Sequence, residues 1–157
     1  MADQPGPALR IYDGEQFRHL LAWEVQRATR YQDFLTLCLA RATHGGALSP
    51  ELLDSIARRA AELLRSTDVV GVMDDAIGII LVHTPDNDAA TIIDRLRGRL
   101  EAETFQATLG TPGVTPLLSL GLASFPNDAT ADGTLVVHAK ARLDEARGSG
   151  GRSSQAS

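Results

Sequence analysis

Two adjacent aspartates, Asp74 and Asp75, interrupt the almost wholly apolar run "DVVGVMDDAIGIILVHT" that extends from Asp68 to Thr84. Carboxylates in such a setting do one of two jobs. They hold a divalent cation, or they form the polar tip of a hairpin whose strands are the flanking apolar segments. Neighbouring strand residues point to opposite faces, so both carboxylates reach one ion only around a sharp bend. A second pair lies just upstream. Arg65 and Asp68, in "RSTD", set a forked planar cation three residues before a carboxylate. The same pair has an ordinary structural use. An arginine in the last turn of a helix meets the helix dipole, and an aspartate just beyond it fixes the turn into the next strand.

The remaining reactive side chains carry less. Cys38, in "FLTLCLA", is the only cysteine. That excludes a disulfide framework, makes a reduced cytoplasmic setting the expectation, and reads as a small core residue rather than a nucleophile. His19, His44, His83 and His138 show no ligand spacing, so neither a metal nor a cofactor is expected. Arg95, Arg97 and Arg99, in "DRLRGRLEAE", read as a solvated helix face. Trp23 either anchors a partner or packs in the core.

The elements that must position these residues follow from hydrophobic period. In "GEQFRHLLAWEVQRATRY", Phe17, Leu20, Leu21, Val25 and Ala28 recur at helical spacing. "DFLTLCLAR" reads as a buried strand of about seven residues. Ser49-Pro50-Glu51 starts a helix with an N-cap serine, a proline at the first position and an early acid. Leu52, Leu53, Ile56, Ala57, Ala60, Leu63 and Leu64 form its stripe. "VVGVM" and "AIGIILV" are short strands on either side of Asp74-Asp75, a hairpin pattern. A helix with Ile92, Ile93, Leu96 and Leu100 inward, the strand "LLSLGLASF", and a last helix with Leu135, Val136, Ala139, Leu143 and Ala146 on one face complete the chain.

The order strand, helix, strand, strand, helix, strand predicts an α+β fold with a ferredoxin-like βαββαβ core, an antiparallel sheet with helices on one face, and additional N- and C-terminal helices. At 157 residues this is one domain, expected over 11–148 between a loose N-terminus at 1–10 and a Gly/Ser tail at 149–157. A net charge of −5 argues against nucleic-acid and membrane partners. The apolar runs are shorter than a membrane span, and the N-terminus lacks a basic-then-apolar signal pattern.

Several stretches resemble one family. "EVQRATRY" is similar to the E-x-x-R-A-x-R stretch of GGDEF domains, the diguanylate cyclase family. "SLGLASFP" (Ser119 to Pro126) resembles that family's S-x-G-x-A-x-x-P strand, and "AKARLDEARGSG" resembles its closing helix at Ala139, Leu143, Ala146, Arg147 and Gly150. "RSTD", five residues and then a hairpin tip match the spacing between the family's R-x-x-D motif and its signature turn. The resemblance covers Ile11 to Gly150.

Active members join two GTP molecules into cyclic di-GMP, with Mg²⁺ held by acids of the G-G-D/E-E-F turn and by an aspartate ending the first strand. Here the signature positions read Asp74, Asp75, Ala76, Ile77 and Gly78, and Arg41 stands in place of the strand aspartate. The guanine-contacting loop is reduced to "THGGAL", and Ser49-Pro50 replaces the G-D opening the next helix. Of the phosphate-facing basic residues, Arg147 matches in type and Arg152 lies one place out of register. Without metal ligands nothing neutralises triphosphate charge or activates the 3′-hydroxyl. The resemblance therefore implies a degenerate, non-enzymatic domain. Arg65 and Asp68 occupy its R-x-x-D product-binding site, whose Arg grips phosphate and stacks on guanine while its Asp meets the guanine edge. Cyclic di-GMP is therefore the implied ligand, with a second arginine supplied by a neighbouring element or subunit, for which Arg95, Arg97 and Arg99 are candidates in charge. A protein partner and a homodimer are the other implied associations, and a nucleotide-independent interaction domain is the alternative.

Overall fold

A computed structural model describes residues 10–148. The expected loose termini and Arg152 lie outside these residues, and of Arg147 only the helical backbone is described. The chain runs β1 (Ile11–Tyr12), α1 (Gly14–Tyr31), β2 (Leu35–Thr43), α2 (Pro50–Leu63), β3 (Val69–Met73), β4 (Ala76–Val82), α3 (Asp86–Glu101), β5 (Leu117–Phe125) and α4 (Asp132–Gly148). The sheet order is β1-β3-β4-β2-β5. Pairs β3–β4, β4–β2 and β2–β5 are antiparallel, and β1 adds a parallel edge to β3. The expected βαββαβ plan is therefore present as β2 to β5.

Local chemistry explains the helix starts. Asp13 caps α1 in a capping box with Gln16, and Ser49 caps α2 with Pro50 at its first position. The strands alternate between two cores. On one face Cys38, Ala40, Ile77, Ile79, Leu120 and Leu122 pack under α2 and α3. On the other, Leu35, Leu37, Leu39, Ile80 and Ala123 pack under Phe17 and Leu21 of α1 and Leu135, Ala139 and Leu143 of α4. The two inner helices thus share one face as expected, while the terminal helices cover the other. Continuous apolar strands need exactly this cover on both sides.

Three local readings change. β2 continues to Thr43 because β5 pairs with it over nine residues, from Leu35↔Phe125 to Thr43↔Leu117. Arg41 is consequently inside the strand, not at its end. Helix α2 ends at Leu63 with Leu64 as its C-cap and no basic residue in its last turn, so Arg65 is not a dipole partner of that helix. Trp23 is 63% exposed, so it is no core residue.

Gly78 has a packing role. It pairs with Gly71 across the β3–β4 ladder, and the Phe17 ring lies over both. A Cβ on Gly78 would stand 2.7 Å from Phe17 Cζ, and one on Gly71 2.8 Å from Phe17 Cδ1. The two bare backbones form the seat that lets α1 approach the sheet.

Candidate functional site

The hairpin is as the spacing predicted. Asp74 and Asp75 are its two-residue tip, with Met73↔Ala76 the last ladder pair and Asp74 in the left-handed region at φ 57°, which aspartate tolerates. Their carboxylates diverge. Asp74 Oδ2 lies 3.6 Å from Arg18 Nη2 of α1 and 3.6 Å from Lys140 Nζ of α4. Asp75 Oδ2 lies 3.3 Å from Arg41 Nε. Arg41 also reaches Asp144 of α4, with Nη1 to Oδ1 at 3.6 Å.

Strand alternation is what aims Arg41 there. Residues 35, 37 and 39 face α1 and α4, and two places further on Arg41 faces the same side. Its side chain is only 16% exposed, against 70% for Asp75. Arg18, Arg41 and Lys140 thus face Asp74, Asp75 and Asp144, three cations against three carboxylates, and the cluster balances its own charge. The positions where the resemblance expects acids are apolar and buried, Ala76 against α1 and α4 and Ile77 against α2 and α3. Among the described residues no group of three His, Cys, Asp or Glu side chains is placed to hold a metal ion.

The second site lies beyond the end of α2. Asp68 N–H donates to the Arg65 carbonyl at 3.0 Å, and the Asp68 carboxylate accepts from the Arg65 backbone N–H at 3.2 Å. The turn is therefore fixed as the structural reading of this aspartate predicted. The same carboxylate receives Arg65 Nε at 3.3 Å and Nη2 at 3.1 Å, and the Val82 N–H at 3.4 Å. Arg65 Nη2 further donates to the Val82 carbonyl at 2.8 Å and to Thr84 Oγ1 at 3.0 Å. Asp68 ends with a side chain 2% exposed, while that of Arg65 remains 52% exposed. An inward carboxylate holds an outward guanidinium in place.

Arg65 borders an open cleft of about 260 Å³ between α2 and α3, lined by Leu63, Leu64, Asp68, Ile92, Arg95, Leu96 and Arg99. Arg95 and Arg99 are four residues apart, as are Ile92 and Leu96, so one stretch of α3 presents both arginines and the apolar floor to the cleft. Arg97 does not join them and pairs with Asp94 at 2.7 Å. Sequence reading grouped the three arginines by charge. The i, i+4 spacing of Arg95 with Arg99 was the signal that could have separated them. Nothing local could have named Thr84 or the Val82 carbonyl as supports for Arg65.

Cys38 is fully buried, and burial pushes its thiol up to about 12, so it stays protonated and packs as an apolar residue. No helix among the described residues is long and apolar enough to cross a membrane.

A ferredoxin-like core whose second face is closed by terminal helices, with a hairpin tip and an R-x-x-D turn at fixed separation, defines a nucleotidyl-cyclase-like domain. The family model described as "Diguanylate cyclase, GGDEF domain" matches residues 15–153, and the chain belongs to this family. No curated protein matches. Among solved structures, the GGDEF domain of YfiN (TpbB) from Pseudomonas aeruginosa superposes with a TM-score of 0.81 at 20% identity, covering 95% of this chain and 98% of that one. The GGDEF domain of DgcB from Caulobacter crescentus, solved in complex with c-di-GMP, gives 0.74 at 15% identity, covering 99% and 93%. Diguanylate cyclase SiaD from Pseudomonas aeruginosa, solved with its activator SiaC, gives 0.77 at 20% identity, covering 99% of this chain and 62% of that one.

Proposed function

We propose that this GGDEF domain makes no cyclic di-GMP and instead acts as a regulatory module that binds it in the cleft of Arg65, Arg95 and Arg99. The observation that carries this reading is the convergence of three arginines on one open cleft floored by Leu64, Ile92 and Leu96. Guanidinium groups grip phosphodiester oxygens and stack on purine faces, and the apolar floor takes the base. Asp68 has a positioning role: its buried carboxylate orients Arg65. That DgcB's GGDEF domain was solved with c-di-GMP makes this ligand the first to test.

The non-catalytic half of the reading rests on the hairpin tip. At the positions that would bind metal stand Arg41, Ala76 and Ile77. Arg41 is ion-paired to Asp75, and a cation there repels Mg²⁺ as the carboxylate of an active member would attract it.

Calorimetry with cyclic di-GMP is expected to give a Kd in the micromolar range, about −8 kcal/mol, abolished in both Arg65→Ala and Arg95→Glu. Binding unchanged in these variants refutes the site. Incubation with GTP and Mg²⁺ is expected to give no product, and clear turnover refutes the catalytic half. The rival reading is a nucleotide-independent interaction domain, favoured by the exposed Trp23 and Tyr31 of α1. A flat calorimetric trace with cyclic di-GMP, GTP and GDP would select it.

A further inference from the structure

Two hydroxyls sit in strands that are otherwise apolar around them. Thr36 lies within "FLTLCLA" in β2, and Ser124 lies near the end of "LLSLGLASF" in β5. Both are buried, and so is Thr84, just before α3. A buried hydroxyl costs stability unless it is hydrogen-bonded, and an apolar residue of similar shape would avoid the cost. What these three bond to gives them a use. Thr36 and Ser124 are directly opposite in the β2–β5 ladder, on the face of Cys38 and Leu122, with their oxygens 2.7 Å apart. Thr36 Oγ1 donates to the Thr84 carbonyl at 3.0 Å. A hydroxyl has one proton, so the proton between Thr36 and Ser124 comes from Ser124. His83, in the left-handed region at φ 54°, turns the chain so that the Thr84 hydroxyl donates back to the Val82 carbonyl at 2.7 Å. The same Thr84 oxygen accepts from Arg65 Nη2 at 3.0 Å. One chain of bonds thus leads from β5 through β2 to the Arg65 guanidinium.

Thr84 is where the two walls of the cleft meet. Its hydroxyl holds Arg65 on the α2 side. Its carbonyl stands two residues before the start of α3, the helix that carries Arg95 and Arg99. The N-cap of α3, Pro85, provides no side-chain cap, and the bond from Thr36 to Thr84 is an anchor at that end. Asp68, Val82 and Thr84 engage Arg65 through Nε and Nη2. None of these bonds uses Nη1, the edge left for a phosphate.

We infer that the Thr36–Ser124 hydroxyl pair is a positioning element of the cleft. Through Thr84 it fixes the Arg65 guanidinium and the start of α3 relative to each other, and with them the spacing of the arginines that face a phosphodiester. Neither Thr36 nor Ser124 lines the cleft, so both act through Thr84. A ligand gripped from two walls binds best when both walls are held in place beforehand. The effect on affinity rests on cyclic di-GMP being the ligand of this cleft, whereas the positioning of Arg65 does not.

Proton–nitrogen NMR of the nucleotide-free chain reads Arg65 directly through its Nε–H, assigned by its loss in Arg65→Ala. Thr36→Val keeps the side-chain shape without the hydroxyl and should speed solvent exchange of this proton about fivefold, the worth of one hydrogen bond. Thr36→Ser keeps the hydroxyl and should restore the native rate. Ser119→Ala removes another buried hydroxyl of β5, one outside this chain of bonds, and should leave the rate unchanged. A hydroxyl that merely stabilised the sheet would not single out Arg65. Calorimetry should show cyclic di-GMP binding weakened about fivefold in Thr36→Val and in Thr84→Val, and restored in Thr36→Ser. Circular dichroism checks folding, and if Thr36→Val does not fold, Ser124→Ala, which removes only the terminal hydroxyl, carries both readouts. An Arg65 proton indifferent to Thr36→Val, a Thr36→Ser no better than Thr36→Val, or native affinity in a Thr36→Val whose Arg65 exchanges faster would each overturn the inference. A wild type that binds no cyclic di-GMP, with Arg65 loosened by Thr36→Val, would overturn the assigned ligand and support the positioning role.

Discussion

Arg41→Asp tests whether the hairpin tip is held by its own charges. In the native chain Arg41 lies 3.3 Å from Asp75 and 3.6 Å from Asp144. At such distances a pair of unit charges attracts by about 5 kcal/mol if the effective dielectric constant is about 20. Both acids, however, are open to water, 70% and 69% exposed, which reduces each pair to about 1 kcal/mol. Reversing the sign at position 41 removes this attraction and adds repulsion of similar size, so the variant loses about 2–4 kcal/mol. For a domain of this length that lowers Tm by about 5–12 °C. The same change gathers the new carboxylate with Asp75 and Asp144 into an oxygen-donor set of the kind that holds a hard divalent cation. If Mn²⁺ binds there with a Kd of about 1 mM, then about 10 mM Mn²⁺ returns about 1.4 kcal/mol. Thermal unfolding followed by circular dichroism, with and without Mn²⁺, reads both effects. The wild type should melt at one temperature in either buffer, and the variant should melt lower and be partly rescued. A wild type stabilised by Mn²⁺ as much as the variant, or a variant that melts with the wild type, would refute the reasoning.

Two further outcomes test the packing around the sheet. Gly121→Ala in β5 would place a Cβ 2.2 Å from the Ala139 carbonyl oxygen and 2.4 Å from the Leu143 nitrogen, both backbone atoms of α4; the helix must move, at a cost of about 3 kcal/mol, measurable by urea unfolding. Asp128 accepts from Arg142 at 3.1 and 3.2 Å and from the Ser124 N–H at 2.7 Å. Burial alone would raise its carboxyl, but these hydrogen bonds outweigh burial and hold it below the usual value of 3.8. Because the folded-state pKa is the lower one, the stabilisation is fully present above about pH 5 and is lost as pH falls through the folded value. Asp128→Ala should therefore cost about 2–3 kcal/mol near neutral pH, and its difference from the wild type should shrink below about pH 4. A constant difference down to pH 2.5 would contradict the assignment.

How much was legible beforehand depended on the range of the interaction that encoded it. Helix α1 was visible in full because Phe17, Leu21, Val25 and Ala28 repeat at a period that only a helix satisfies. The hairpin was visible because two β-rich runs flank two polar residues. The family was visible through residue identities at fixed separations along the chain, among them the five residues between Asp68 and Asp74. The length of β2 was not, since its last two residues are held by pairing with Leu117 and Leu118 of β5, far away in sequence. The two-residue β1 was missed because so short a strand has no period to detect.

The amino-acid sequence thus determined the four helices and the four longer strands, their order, the residues at the signature positions and the survival of the Arg65–Asp68 spacing. Tertiary structure alone decided what those residues face. It put the terminal helices on the second face of the sheet, brought Arg41 to Asp75 across 34 positions, turned the Asp68 carboxylate inward and chose Arg95 and Arg99 over Arg97 as walls of the cleft. The physical reason is that backbone periodicity is a local property, written within a dozen residues. The partner of a charge or the lining of a cleft is set by the packing of elements that are distant in the chain, and no short window contains both sides of such a contact.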